Sequence, residues 1–266
     1  IFSFLISILI ILLIIKSKYS FLKVNPTKRG IHTLKTYTAG GLVFLFPSLF
    51  IPIFSNYLFP LYCLPVALIG IIDDILDMGY FIRLSFQSIT AFLLVINSDF
   101  FNSIYLKYNF SISFFSACLL VFIIVSIINF VNFMDGMDLM VGGSFFFIFL
   151  LLSLFFHTIF IPLVVSLAVF CYFNKPPALI FMGDVGSTYL AALFIGFCLT
   201  QTNINNFIGL SLIPAPLYFD ACITVIRNLK RGYGVGPHKR NLYQRLYKFG
   251  LSKKLIPSLY ISLVVI

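Results

Sequence analysis

Carboxylates and amides recur in this chain at spacings that suit a reaction centre. The stretch NFVNFMDGMD places Asn129, Asn132, Asp135 and Asp138 every third residue at the foot of a long apolar run. On a helix each three-residue step drifts about 60° around the axis, so neighbouring pairs share a face but all four residues do not. Gly136 is therefore predicted to break the helix. An Asn-Asp-Gly cluster is also typical of an ordinary helix-ending turn, and that alternative stays open here.

Two further motifs supply carboxylates. GIIDDILDMG contains Asp73, Asp74 and Asp77, and the four-residue spacing predicts Asp73 and Asp77 on one helix face, with Asp74 about 100° away. FMGDVGS places Asp184 between glycines, in a turn where backbone and carboxylate can approach a ligand closely. The alternative for the first motif is a polar helix end without function.

Aspartates without clustered histidine or cysteine favour a hard cation. Mg²⁺ typically takes one or two carboxylates, keeps several waters and completes its shell with phosphate oxygens. When lysine and arginine are available to position the remaining phosphate charge, the natural reaction is phosphoryl transfer. We therefore expect Mg²⁺ as the cofactor, with Mn²⁺ able to substitute.

The composition places these motifs in a membrane protein. Of 266 residues, 61% are hydrophobic and 10% charged, with a mean hydropathy of +1.07, whereas soluble domains average about 25% charged residues. Apolar runs that span a bilayer, or nearly do, occur at 1–15, 41–55, 57–72, 84–97, 113–131, 143–157, 159–173, 186–200, 207–226 and 255–266. The pattern predicts an all-α, polytopic protein of about ten transmembrane helices, with hairpins or kinks at Asn56 and His157. We expect one domain over residues 1–266, truncated at both ends because each end lies inside an apolar run.

Basic residues predict the orientation of these helices. They cluster after the first apolar run and between the last two, and the positive-inside rule makes those loops cytoplasmic. Alternation then places every lysine and arginine except Lys107 on the cytoplasmic side, together with seven of the eight acids. The net charge of +10 is thus a topology signal first, and an attraction for anionic headgroups or phosphates second. The active site is expected at the cytoplasmic face, and nucleic acid is not an expected partner.

The ordered set DDxxD, NxxNxxDGxD and FMGDxGS, followed by a basic last cytoplasmic loop, resembles the polyprenyl-phosphate N-acetylhexosamine-1-phosphate transferases, glycosyltransferase family 4. That family moves a sugar 1-phosphate from a UDP-sugar to a lipid phosphate, usually undecaprenyl phosphate, with Mg²⁺, and releases UMP. The resemblance implies a multi-pass enzyme of the bacterial cytoplasmic (inner) membrane that starts a cell-envelope glycan. Its expected partners are a UDP-N-acetylhexosamine, undecaprenyl phosphate and the lipid bilayer, and a second copy of the chain, forming a homodimer, is a further candidate.

The resemblance also assigns roles to residues. Asp184 is the expected metal ligand, and Asp73 and Asp74 are the pair that activates the nucleophile. Asp135, which lines the nucleotide-sugar site, is taken as a third catalytic carboxylate. The residues expected to bind substrate are Asn129, Asn132 and Asp138, together with Arg29, His238, Arg240 and Arg245 from the basic segments.

Several positions depart from the family pattern. Leu139 stands where DGxDG has its last glycine, and Thr38 and Ala39 replace the first half of PRGG. In the last loop, PHKRNLYQRL, the histidine-rich motif is reduced to His238, and Asn241 occupies its second position. This version is closer to the branch that starts O-antigen or capsule chains, and hence lipopolysaccharide, than to the peptidoglycan branch.

Two alternatives remain from the sequence. Within the family, the chain could be a phospho-N-acetylmuramoyl-pentapeptide transferase of peptidoglycan synthesis. In a different class, a polytopic ion or solute transporter would also place carboxylates in a helix bundle. A transporter would want them near the bilayer midplane and often in inverted repeats, and the sequence shows neither.

Overall fold

The computed structural model describes residues 1–16, 23–24, 36–232 and 240–265. The first half comprises α1 (Phe2–Lys16), strands β1 (Lys23–Val24) and β2 (Thr36–Tyr37), α2 (Leu42–Ser48), α3 (Ile51–Phe54), α4 (Phe59–Tyr62), α5 (Leu64–Leu76), α6 (Tyr80–Ile96) and α7 (Asp99–Lys107). The second half comprises α8 (Phe110–Met134), α9 (Met140–Phe155), a 3₁₀ turn (Thr158–Phe160), α10 (Ile161–Asn174), α11 (Gly183–Cys198), α12 (Ile204–Ser211), α13 (Ala215–Lys230), α14 (Leu242–Lys248) and α15 (Leu255–Val265). The two short strands pair antiparallel. The expected all-α class is confirmed.

Helix α11 forms the centre of the bundle. Every residue from Val185 to Cys198 is buried, and α5, α8, α2 and α12 all pack against it. A helix that is apolar on all sides is stable only when other elements surround it completely. The first turn of α11, which carries Asp184, is therefore held in place by the core of the protein.

The crossing of α5 over α11 depends on Gly70. A Cβ at this position would lie 2.5 Å from Val185 Cα and 2.7 Å from Val185 N, closer than side chains can approach backbone. Small residues at such crossings let the backbones of membrane helices pack closely. This close approach brings the last turn of α5, with Asp73 and Asp74, beside the first turn of α11.

The outer faces of the bundle are apolar. On α8, the side chains of Phe114, Phe115 and Phe122 are exposed, although the opposite face of the helix is buried. Large exposed apolar surfaces are rare on soluble proteins and are what a helix presents to lipid. The exposed phenylalanines agree with a membrane protein.

The predicted apolar runs coincide with helices or helix pairs, but few helices span a bilayer by length alone. Across the described ranges, α8 is the one helix long and apolar enough, and the number rises to three if two bent pairs each count as one span. These pairs are α6 with α7, bent by 61°, and α12 with α13, bent by 73°. The ten-helix count stays a prediction. The breaks expected at Gly136, Asn56 and His157 are confirmed, since no α-helix continues through any of them.

Candidate active site

Asp74 caps the N-terminus of α11. Its carboxylate accepts hydrogen bonds from the backbone N–H of Asp184 (2.9 Å) and of Val185 (3.4 Å). The first N–H groups of a helix have no partner within the helix, and the helix dipole favours a negative charge beside them. Gly183 has a φ of +73°, and a Cβ there would overlap the Asp74 carboxylate. The turn expected from FMGDVGS is confirmed, and glycine is required for it.

Arg83 joins two of the motifs. Its Nη1 lies 3.1 Å from Asp73 Oδ2 and 2.9 Å from Asp184 Oδ2. The other oxygen of Asp73 accepts a hydrogen bond of 2.6 Å from the backbone N–H of Met78. Two carboxylates that would repel each other are thus held around one positive charge, which lowers the free energy of bringing them together.

Asn132 brings the third motif to the same place. Its Nδ2 donates to Asp184 Oδ2 at 3.3 Å, and its Oδ1 accepts from the hydroxyl of Ser187, one turn along α11, at 2.8 Å. Asn129 lies one turn earlier on α8, where its Nδ2 donates to Gln87 Oε1 at 2.6 Å and to the backbone carbonyl of Val125. The structure therefore places Asn132 against Asp184 and places Asn129 in a contact between α8 and α6.

The segment between α8 and α9 carries the remaining two aspartates. Asp135 follows the last residue of α8, and burial raises the pKa of its carboxyl well above the usual range, with Asp184, Asp74 and Asp138 adding to the shift. Asp138 is buried and accepts a hydrogen bond from the backbone N–H of Ala178 at 3.3 Å.

Leu139 adopts a left-handed conformation, with a φ of 65°. This explains why a glycine suits the position, since the left-handed region costs an L-residue roughly 1–2 kcal/mol. Here Asn174 helps to hold the turn, because its Oδ1 accepts a 2.7 Å hydrogen bond from the Leu139 N–H. Its Nδ2 in turn donates to the Ile180 carbonyl. This hydrogen bond connects the segment between α8 and α9, residues 135–139 and here called the reaction segment, to the chain leading into α11.

The donor set fits a hard cation only as part of a larger complex. No group of three or more histidine, cysteine or acidic side chains in the described ranges is placed to hold a metal by itself. Asp73 and Asp184 each direct one oxygen at Arg83 Nη1, and a cation bound beside them would need only one or two carboxylates, because Mg²⁺ completes its shell with phosphate and water. The arrangement fits a cation that is completed by substrate.

One detail of the sequence interpretation is wrong. Asp77 was expected to share a helix face with Asp73, but α5 ends at Leu76 and Asp77 takes a left-handed conformation with a φ of 50°. Aspartate tolerates this conformation better than most residues do. The exposed Asp77 is therefore part of the turn after the helix.

The structure describes only two of the four basic residues that were expected to bind substrate. Arg29 and His238 lie outside the described residues. Arg240 is half-buried, and its backbone carbonyl accepts a hydrogen bond from the guanidinium of Arg227. Arg245 is exposed on α14. The role of these two arginines in substrate binding stays a prediction.

Comparison with known proteins decides the family. A model described as glycosyl transferase family 4 matches residues 57–202, more than half of the chain. This chain belongs to glycosyl transferase family 4. The resemblance read from its motifs is confirmed, and the matched residues include Asp73, Asp74, Asp135 and Asp184.

This family 4 chain is similar in sequence to two curated relatives. It is 26% identical over 207 residues to a probable undecaprenyl-phosphate N-acetylglucosaminyl 1-phosphate transferase of Bacillus subtilis (strain 168), covering 71% of this chain and 58% of the relative. It is 31% identical over 233 residues to a phospho-N-acetylmuramoyl-pentapeptide-transferase of Dictyoglomus turgidum, covering 77% of this chain and 74% of the relative. The chain thus spans less than two thirds of the length of the first relative.

Family membership supports the coarser part of the expected function. Family 4 enzymes are membrane-integral and transfer a phospho-sugar to a polyprenyl phosphate, and they serve cell-wall biogenesis. The two relatives carry different names, so the comparisons support both branches of the family equally.

Arg83 was not predicted as a site residue, because the sequence placed it only among the bases at the membrane edge. A signal was present, because Arg83 and Gln87 are four residues apart and place two polar side chains on one face of a mainly apolar helix.

Proposed function

We propose that this protein catalyses the Mg²⁺-dependent transfer of an N-acetylhexosamine 1-phosphate from a UDP-sugar to undecaprenyl phosphate. UMP is released, and the lipid-linked product starts a cell-envelope glycan. The observation that carries the proposal is the meeting of three motifs at Asp184. Arg83 joins Asp184 to Asp73, Asp74 caps the helix that begins at Asp184, and Asn132 donates to the same carboxylate.

The acceptor phosphate requires positioning more than deprotonation. A phosphate monoester has a second pKa of about 6 and is largely ionised near neutral pH. Its oxygen attacks the phosphorus that bears the sugar, the bond from that phosphorus to the UMP oxygen breaks, and UMP leaves with the bonding electrons. Asp73 orients the acceptor phosphate. Asp74 holds α11 in place through the hydrogen bonds that it accepts from two backbone N–H groups.

Positive charge at the centre comes from Arg83. Its planar guanidinium presents several donors in a fixed fork, which suits phosphate oxygens. Nη1 contacts both carboxylates and Nε is buried, so Nη2 is the donor of the fork that can face the diphosphate. Asp184, with Asp73, would hold Mg²⁺, which when bound neutralises charge on the transferred phosphoryl group. Asn132, Asp135 and Asp138 contact the nucleotide-sugar.

The central experiment is a transfer assay with purified full chain, undecaprenyl phosphate and radiolabelled UDP-N-acetylglucosamine. Lipid-linked label that depends on Mg²⁺ or Mn²⁺ and disappears in chelator supports the proposal. Full activity in chelator refutes the metal requirement. UDP-N-acetylmuramoyl-pentapeptide is tested in parallel, because transfer from this donor alone would place the chain in the peptidoglycan branch.

A second assay separates two reaction routes. Direct attack by the lipid phosphate requires both substrates to be present together. If an aspartate attacks first, a phosphosugar-enzyme forms and the kinetics become ping-pong. We expect direct attack, so that labelled UMP does not exchange into UDP-sugar when the lipid acceptor is omitted. Such exchange would establish the covalent route instead.

The proposed location is the bacterial cytoplasmic membrane, with the carboxylate site facing the cytoplasm. The distribution of basic residues supports this orientation. Accessibility of cysteines introduced singly at Asp77 and Asp99 checks it. We expect labelling at Asp77 only from the cytoplasmic side and at Asp99 only from the other side, and the reverse pattern would refute the orientation.

A further inference from the structure

Asp220 lies on α13, apart from the three aspartate motifs, and is buried. Its carboxylate accepts hydrogen bonds from the backbone N–H of Leu242 (2.6 Å), the backbone N–H of Tyr243 (3.3 Å) and the hydroxyl of Tyr260 (2.6 Å). A buried carboxylate is costly unless such donors satisfy it. Asp220 therefore fixes the start of α14 to both α13 and α15.

The start of α14 is also fixed to the end of α8. Asn241 Nδ2 donates to the backbone carbonyl of Phe133 at 3.2 Å, and Asn241 forms a reciprocal capping box with Gln244. Asn241 is the residue that departs from the histidine-rich pattern. The asparagine at this position has a structural role, because it joins α14 to α8, the helix that leads into Asp135.

Tyr243 extends this connection to the reaction segment. Its side chain is 1% exposed, and a Cβ added to Gly136 would overlap its hydroxyl oxygen and lie 3.1 Å from its Cζ. Gln244 Nε2 donates to the same hydroxyl at 3.1 Å. The hydroxyl of Tyr243 thus occupies the space that any side chain at position 136 would need, directly beside Asp135.

We propose that Tyr243, held in place by Asp220, is a positioning residue that sets the location of Asp135 through its contact with Gly136. The inference rests on the proposed function, because it concerns the geometry of that site. It assigns Tyr243 and Gln244, which belong to the PHKRNLYQRL segment of the last loop, to contacts within the protein. Asp220 then affects the reaction indirectly, because it holds Tyr243 in position.

The contact between Tyr243 and Gly136 makes a rescue experiment feasible. Gly136→Ala should lower kcat about 100-fold, because the added methyl group meets the tyrosine hydroxyl and displaces the segment. Tyr243→Phe alone should cost about threefold, since the ring remains and only the hydroxyl is lost. Combining the two changes removes the closest clash and should restore kcat about tenfold relative to Gly136→Ala alone.

The support from Asp220 is tested separately. Asp220→Asn keeps the shape of the side chain but turns an amide towards one of the N–H or hydroxyl donors, and we expect kcat to fall about tenfold. Tyr260→Phe removes one hydrogen bond and should cost about threefold, which keeps the test informative if Asp220→Asn does not fold. The matched control is Tyr247→Phe on the exposed side of α14, for which kcat should stay within about twofold of the parent.

Rates are expressed per folded molecule, measured by gel filtration and thermal unfolding of each purified full-length variant. A purely structural role would lower the amount of folded protein and leave kcat per folded molecule unchanged, and this result would overturn the inference. Absence of recovery in the Gly136→Ala/Tyr243→Phe double variant would also overturn it, while an active parent would leave the proposed function standing. If the parent uses neither UDP-sugar donor, the proposed function fails and this inference fails with it.

Discussion

The two ends of α11 differ in the types of residue that pack around them. At its carboxylate end, Asp184 lies within hydrogen-bonding distance of Arg83 and Asn132. At its opposite, aromatic end, the Phe197 ring centre lies 5.0 Å from that of Phe160 and 5.9 Å from that of Phe156. Both ends are packed, but only the first gathers charge. Ring packing stabilises a fold directly, whereas charges at membrane depth cost free energy and are kept where a reaction needs them.

The aromatic end also has an open cavity of about 730 Å³, lined by Phe50, Phe54, Ser55, Asn56, Tyr57, His157, Thr158, Ile159 and Pro162. In this lining the Tyr57 hydroxyl lies 2.9 Å from His157 Nε2. Among the residues that the structure describes, this lining includes no carboxylate, lysine or arginine. The groups that suit a diphosphate therefore lie at the other end of α11.

Asp184→Asn is the most direct test of the difference between the two ends of α11. The amide keeps the shape of the side chain but carries no charge to hold a cation or to pair with Arg83, so we expect transfer to fall about 10³-fold, roughly 4 kcal/mol. The matched control is Asp99→Asn, because Asp99 is exposed at the start of α7, beside the aromatic end of α11. The measurement is lipid-linked product, with circular dichroism to verify folding. Equal losses in the two variants would contradict the division of roles between the ends.

Arg83 offers the next largest effect. Arg83→Gln leaves Asp73 and Asp184 without their shared cation, and we expect about a 100-fold loss of kcat/KM. Arg83→Lys keeps the charge but loses the planar fork, so about a tenfold loss is expected. Lys107→Gln, which removes an exposed charge on α7, is the control and should behave like the parent. Full activity of Arg83→Lys would show that the site needs only the charge of Arg83.

The sequence predicted the chemistry of the carboxylate end better than its construction. Local patterns located the aspartate motifs, the break at Gly136 and the apolar runs, because each of these depends on neighbouring residues. The cap that Asp74 places on α11 joins residues 110 positions apart, and the contact of Tyr243 with Gly136 also crosses the chain. No spacing rule predicts such pairs. Arg83 was missed for a related reason, since one base at a membrane edge has the same local pattern as a topology signal.

Asp74→Asn measures how much the carboxylate end of α11 contributes to the stability of the protein. One carboxylate oxygen becomes an amide that faces a backbone N–H of α11, so we expect the free energy of unfolding to fall by about 1–3 kcal/mol. Thermal unfolding of purified protein gives this value. Asp77→Asn is the control three residues later, because Asp77 is exposed and asparagine also tolerates its left-handed conformation. If both variants unfold like the parent, the Asp74 carboxylate does not stabilise α11 as a helix cap.

The smallest effect is expected at the aromatic end, where Tyr57→Phe removes only the hydroxyl that contacts His157. The phenylalanine ring retains the packing of Tyr57 against Phe59 and Phe197, at centroid distances of 5.9 Å and 6.3 Å. Since the lost hydrogen bond is exposed, its net contribution is at most about 1 kcal/mol. Transfer should remain within about twofold of the parent, because no charge near Asp184 changes. Tyr57→Ala, which also removes the ring, should lower the unfolding temperature further while leaving kcat per folded molecule close to that of the parent. A tenfold fall in kcat with Tyr57→Phe would show instead that the aromatic end acts on the reaction through α11, and the two ends could no longer be assigned separate roles.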